Sequence, residues 1–158
     1  MRKSLPLAAA YAVLVAGSGG VLAGERIVGT NSYVAAEEFF HVDYGVYWRQ
    51  DNSGTFAVTE GPLEHGFVRC IGAGFNIASI GSGEGICIFT TGDFSTNEDT
   101  FTWEWRMVGV GQNEWKVIGA TGKYAGMRGS GTARTNTESE FRAQRMRVTE
   151  WEGEIELP

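Results

Sequence analysis

Histidine is scarce, with only His41 and His65 in 158 residues, and neither lies in a cluster with Cys70 and Cys87. A zinc shell is therefore not completed, and no metal or other cofactor is expected. Proline occurs three times, low-complexity segments are missing, and no apolar run is long enough to cross a bilayer. Positive charge is also short, 13 Lys and Arg against 19 Asp and Glu. An acidic surface repels phosphate backbones and anionic lipid, so neither nucleic acid nor a membrane is an expected partner. Sustained helical periodicity is absent as well, which leaves strands to build the fold.

Two motif fragments lack their essential companions. After Arg26-Ile27-Val28-Gly29 there is no G-D-S-G nucleophile loop, which excludes trypsin-like chemistry. Gly122-Lys123 has Val117 where a phosphate loop needs glycine, and Tyr124 where it needs a hydroxyl for magnesium.

The first residues read as a processing signal. Arg2 and Lys3 precede the uncharged stretch Leu5–Ala16, and Val21-Leu22-Ala23 forms a small-residue cleavage site. Residues 1–23 are expected to be a signal peptide and 24–158 a single domain, exported to the periplasm or the exterior. Without Arg2 and Lys3, eleven basic residues face nineteen acidic ones, a formal charge near −8. In an oxidising compartment, Cys70 and Cys87 are expected to form a disulfide between neighbouring strands, the alternative being two buried thiols.

Alternation of period two dominates the remainder. Phe40, Val42, Tyr44, Val46 and Trp48 share one face of an expected strand that ends at Asp51-Asn52-Ser53-Gly54. Further strands are expected over 55–59, 66–71, 86–91, 100–108, 115–118 and 130–136, with one or two over 141–155. Gly81-Ser82-Gly83-Glu84-Gly85 reads as a loop and Ser32–Glu38 as the one short helix. Seven or eight strands at a spacing of roughly 10 to 15 residues indicate an all-β sandwich or barrel, and the glycine content favours the barrel.

Gly119, Gly122, Gly126, Gly129 and Gly131 punctuate the stretch Val117–Arg134, V-I-G-A-T-G-K-Y-A-G-M-R-G-S-G-T-A-R. Such spacing suits tight turns and no helix. The stretch resembles the G-G-T-G-x-[FY]-x-G-[AM]-x-G signature of the allene oxide cyclase and dirigent barrels, with Ala120 in place of one glycine. Gly61-Pro62-Leu63-Glu64-His65-Gly66 and Gly85-Ile86-Cys87-Ile88-Phe89-Thr90 are similar in shape to exported bacterial members of that group. The resemblance implies one small antiparallel β-barrel of about eight strands, calycin-like in architecture.

An eight-stranded barrel is either filled by its side chains or holds one small guest. Phe101, Trp103, Trp105 and Met107 share one face of the 100–108 strand, while Thr102, Glu104 and Arg106 share the other. With the tryptophan face inward, Tyr44, Trp48, Phe101, Trp103, Trp105 and Met107 become the expected wall for a small apolar or aromatic molecule. With the opposite face inward, Glu104 and Arg106 would supply an acid–base pair for a cofactor-free cyclase or isomerase. A homo-oligomer is also compatible with this number of aromatic residues.

Overall fold

A computed structural model of the chain describes residues 24–77, 80–91, 98–136 and 145–158. The expected signal peptide lies outside these residues, as does Phe141. The described strands are β1 (Glu25–Val34), β2 (Glu37–Val42), β3 (Gly45–Glu60), β4 (Gly66–Ile77), β5 (Ile80–Thr90), β6 (Thr100–Gly109), β7 (Gln112–Ala120), β8 (Arg128–Thr135) and β9 (Met146–Glu156). They form one antiparallel sheet in the order β1-β9-β8-β7-β6-β5-β4-β3-β2, and β1 also pairs with β3. That last pairing closes eight strands into a barrel. β2 stays outside the ring as an added strand on β3.

Three local expectations are corrected. Ser32–Glu38 is not a helix: β1 runs to Val34 and β2 begins at Glu37, because Asn31 and Tyr33 alternate inward with Ile27 on β1. The alternation through Phe40–Trp48 spans a hairpin, since Val42 pairs with Gly45 and leaves Asp43 and Tyr44 at its tip. Asp51-Asn52-Ser53-Gly54 is not a turn but the middle of β3, where β2 hands over to β1 as partner. Asn52 serves that exchange, accepting a 3.0 Å hydrogen bond on Oδ1 from the Ala36 N–H.

The expected loop Gly81–Gly85 belongs to β5, and its glycines have a packing role. Trp48 lies across Gly74 and Gly83, and Trp105 lies across Gly72 and Gly85. In the same way Trp115 covers Gly131 and Gly153, while Trp151 covers Gly29. Each indole follows its own cross-strand row, for example Gly72–Gly85–Trp105 and Trp115–Gly131–Gly153. A Cβ on any of these glycines would occupy the space of a ring or a backbone atom.

The Val117–Arg134 corner closes one end of the barrel. After β7 a 3-10 turn at Gly122–Tyr124 brings Tyr124 and Met127 into the core. Gly122 has φ of +57°, and Asp99 Oδ1 accepts a 2.9 Å bond from the Lys123 N–H beside it. Gly126 has φ of +96°, but a Cβ there would meet only Pro158, at an ordinary 3.8 Å. Gly122→Val is therefore expected to lower thermal stability more than Gly126→Val, since a Cβ at Gly122 also meets Glu98 and Asp99. Equal melting temperatures for both variants and the parent protein would remove this account of the corner.

Candidate functional site

The barrel interior is divided along its axis. At the corner end, Phe56, Phe89 and Phe101 are fully buried, with the Phe89 and Phe101 rings stacked at 4.6 Å and Tyr124 edge-on to Phe101 at 5.3 Å. Ile27, Val68, Met127 and Ile155 complete this packed half. At the other end, where the β2–β3, β4–β5 and β6–β7 hairpins turn, the interior opens into a cavity of about 1700 Å³. That exceeds the roughly 300–1,000 Å³ of common ligand pockets because the mouth is open to solvent.

Tryptophans make the cavity. Trp103 and Trp115 stack at 4.1 Å with 12° between their planes, and Trp151 meets Trp103 edge-on at 5.2 Å. Nearer the mouth, Trp48 and Trp105 stack in parallel with centroids 6.4 Å apart. All five line the space. Because the indoles of Trp48, Trp105, Trp115 and Trp151 lie along glycine rows instead of standing toward the axis, this half remains hollow while the phenylalanines fill the other, and Trp103 packs between the two.

Polar and charged side chains also line the cavity, and several are tied to neighbours. Trp151 Nε1–H donates to Asn31 Oδ1 at 2.9 Å, and Trp115 Nε1–H donates to the Thr132 carbonyl at 3.1 Å. The Tyr33 hydroxyl lies 2.7 Å from Thr149 Oγ1, which lies 2.9 Å from Thr135 Oγ1. Burial pushes the Tyr33 pKa up, against the opposing pull of the Thr149 hydrogen bond. On the wall toward β2, Arg147 donates to Glu37 at 2.8 Å, with side chains only 11% and 19% exposed. The Trp103 and Trp105 indole N–H groups are buried without a hydrogen-bond partner among the described residues. Cys70 and Cys87 are directly opposed on β4 and β5 and bonded, and the bridge forms part of the wall.

The expected site residues separate into three groups. Trp48, Trp103, Trp105 and Met107 line the cavity together. Phe101 faces inward as well but is buried in the packed half, and Tyr44 is exposed at the tip of the β2–β3 hairpin, so neither reaches the cavity wall. Glu104 and Arg106 lie on the outer wall, because the alternation that turns Trp103 and Trp105 inward turns them out. Glu104 stands opposite Lys116, and Arg106 pairs with Glu114 at 3.5 Å. An interior acid–base pair from these two is thereby withdrawn. Glu104→Gln is expected to leave unfolding free energy within about 0.5 kcal/mol of the parent, as exposed substitutions do; a larger loss in urea denaturation would show a role that its position does not explain.

Sequence reasoning missed Tyr33, Asn31 and Glu37, which fell in or beside the supposed helix, together with Asn52, Arg147 and Thr149. One signal was available: Thr149 and Arg147 continue the inward alternation of Trp151, Gly153 and Ile155 toward the mouth. Among the described residues no group of His, Cys, Asp and Glu forms a metal site, and no helix is long and apolar enough to cross a membrane.

Among solved structures, a pterocarpan synthase dirigent protein superimposes on the chain with a TM-score of 0.50, at 14% identity, over 94% of this chain and 98% of that one. The fold is a dirigent-like barrel. No protein-family model and no curated protein matches the sequence. At this identity the likeness concerns architecture alone, and function has to be argued from the cavity.

Proposed function

We propose that the chain binds a small hydrophobic or aromatic molecule in the mouth half of its barrel. The observation that carries this is the division of the interior: one half is packed by phenylalanine, the other is hollow, with Trp48, Trp105, Trp115 and Trp151 laid against glycine backbone on its wall and Trp103 at its floor. Flat indole faces offer a planar guest stacking area and exclude water from it. Of the polar side chains on the wall, Asn31, Asn52, Thr149 and Thr135 are already bonded to neighbours. The cyclase alternative has no named residue left in the interior.

The protein also fits an exported member of the allene oxide cyclase and dirigent barrel group. A formed disulfide suits an oxidising compartment, and the leader-like residues 1–23 agree with export.

Titration with N-phenyl-1-naphthylamine, an uncharged aromatic probe, tests the binding. Saturable fluorescence enhancement at one probe per chain is expected, with transfer from the cavity tryptophans. Trp105→Ala is expected to weaken the probe by about tenfold or more, the loss of one stacking wall. A chain that gives no saturable signal, or whose binding is indifferent to Trp105, does not use this cavity.

A further inference from the structure

The exposed apolar side chains are distributed unevenly. Among the described residues, all of the large ones except Phe67 and Ile118 lie at the mouth end of the barrel. They come from separate turns. Tyr44 occupies the β2–β3 tip, Ile80 the β4–β5 hairpin and Val110 the β6–β7 turn, at 71%, 73% and 69% exposure. Val34 and Met146, paired at the ends of β1 and β9, and Phe39 on β2 complete the ring. Phe39, Ile80 and Val110 also line the opening itself, so the ring and the cavity are continuous.

We propose that this ring docks on an uncharged lipid surface, letting an apolar ligand pass between bilayer and cavity without crossing water; this rests on the ligand-binding role proposed above. Charge supports this partner. Toward the mouth, Glu37 is paired with Arg147 and Glu38 with Arg49, and the exposed Asp43 and Arg145 carry opposite charges, so the described residues there present little net charge. The acidic excess sits on the flank, where Glu150, Glu152, Glu154 and Glu156 all point outward from β9. Among the described residues, a zwitterionic headgroup layer therefore meets a neutral face, whereas anionic lipid meets a repelling body. The expectation of no membrane partner rested on the acidic balance, and the docking proposed here concerns uncharged lipid alone. Shape supports the choice too. Projecting turns around an opening are suited to shallow insertion, with Tyr44 and Phe39 at headgroup depth, whereas a second copy needs a continuous complementary face.

Co-sedimentation with phosphatidylcholine vesicles tests the docking. The wild-type chain is expected to bind them, and to bind more weakly when phosphatidylglycerol is added. The triple variant Tyr44→Ser, Ile80→Ser, Val110→Ser, checked for folding by thermal melt, is expected to lose about tenfold or more of its vesicle affinity. Ile118→Ser, on the outer wall of β7, is the control and is expected to retain it. A wild-type chain that takes up the naphthylamine probe yet ignores phosphatidylcholine overturns the docking and leaves the cavity role intact; failure of the probe itself overturns the cavity role first. Equal loss in Ile118→Ser also overturns it, and so does a wild-type dimer in gel filtration that the triple variant dissolves, which assigns the ring to a second copy.

Discussion

Trp103→Ala is expected to lower the unfolding free energy by about 3–5 kcal/mol, the largest effect of any single truncation in this interior. Trp103 sits where the two halves of the barrel meet. Its indole stacks on Trp115 at 4.1 Å, leans on Phe89 at 4.3 Å and receives Trp151 edge-on at 5.2 Å. The Nε1–H has no hydrogen-bond partner among the described residues, so the loss measures packing rather than a hydrogen bond. Such a change corresponds to a drop in melting temperature of roughly 10–20 °C for a domain of this size. Trp105, half-buried at the mouth, has less to lose on truncation because its far side already faces open space. Calorimetry in which Trp105→Ala proved the more damaging would place the structural centre nearer the mouth than the packing indicates.

Removing the disulfide, with Cys70→Ala and Cys87→Ala together, is expected to cost about 3 kcal/mol by chain entropy for a closed loop of this length. The bridge joins residues 17 apart in sequence on adjacent strands. Most of its effect therefore falls on the unfolded chain, which would otherwise open the β4–β5 hairpin fully. Urea titration should show a lower midpoint with an equal or larger dependence on urea, as a freer unfolded chain exposes more surface. An unchanged midpoint would show that native contacts between β4 and β5 already dominate and that the bridge only follows them. The alanine pair also widens the cavity wall slightly, so probe affinity should change less than stability does.

The fold class was legible because alternation at period two is local. Phe101, Trp103, Trp105 and Met107 announce an inward face without any knowledge of their partners, and Glu150 to Glu156 announce an outward one. Misreadings arose where a residue's reason lies on another strand. Glycine in Gly81–Gly85 looks like loop chemistry until Trp48 and Trp105 are placed across it. Asn52 and Gly54 look like a turn until β3 is seen exchanging one neighbour for another. The cavity was half legible: its tryptophans were visible in the sequence, but the division of the barrel into filled and hollow halves was not. That division depends on which rings lie down and which stand up, and a ring's tilt is set by the glycines opposite it. Phe101 illustrates the limit, being correctly oriented inward yet in the wrong half.

The indoles laid on glycine rows also constrain how such a barrel can drift in sequence. A glycine beneath a ring cannot gain a side chain on its own, and a tryptophan cannot shrink without leaving bare backbone beside a void. Change must therefore come in linked steps along one rung of the ladder: Trp105 with Gly72 and Gly85, or Trp115 with Gly131 and Gly153. A relative in which Trp105 is replaced by a small residue should be free to carry larger side chains at both partner glycines, and would then hold a cavity of different outline inside an unchanged barrel. Diversification of the guest would proceed one rung at a time.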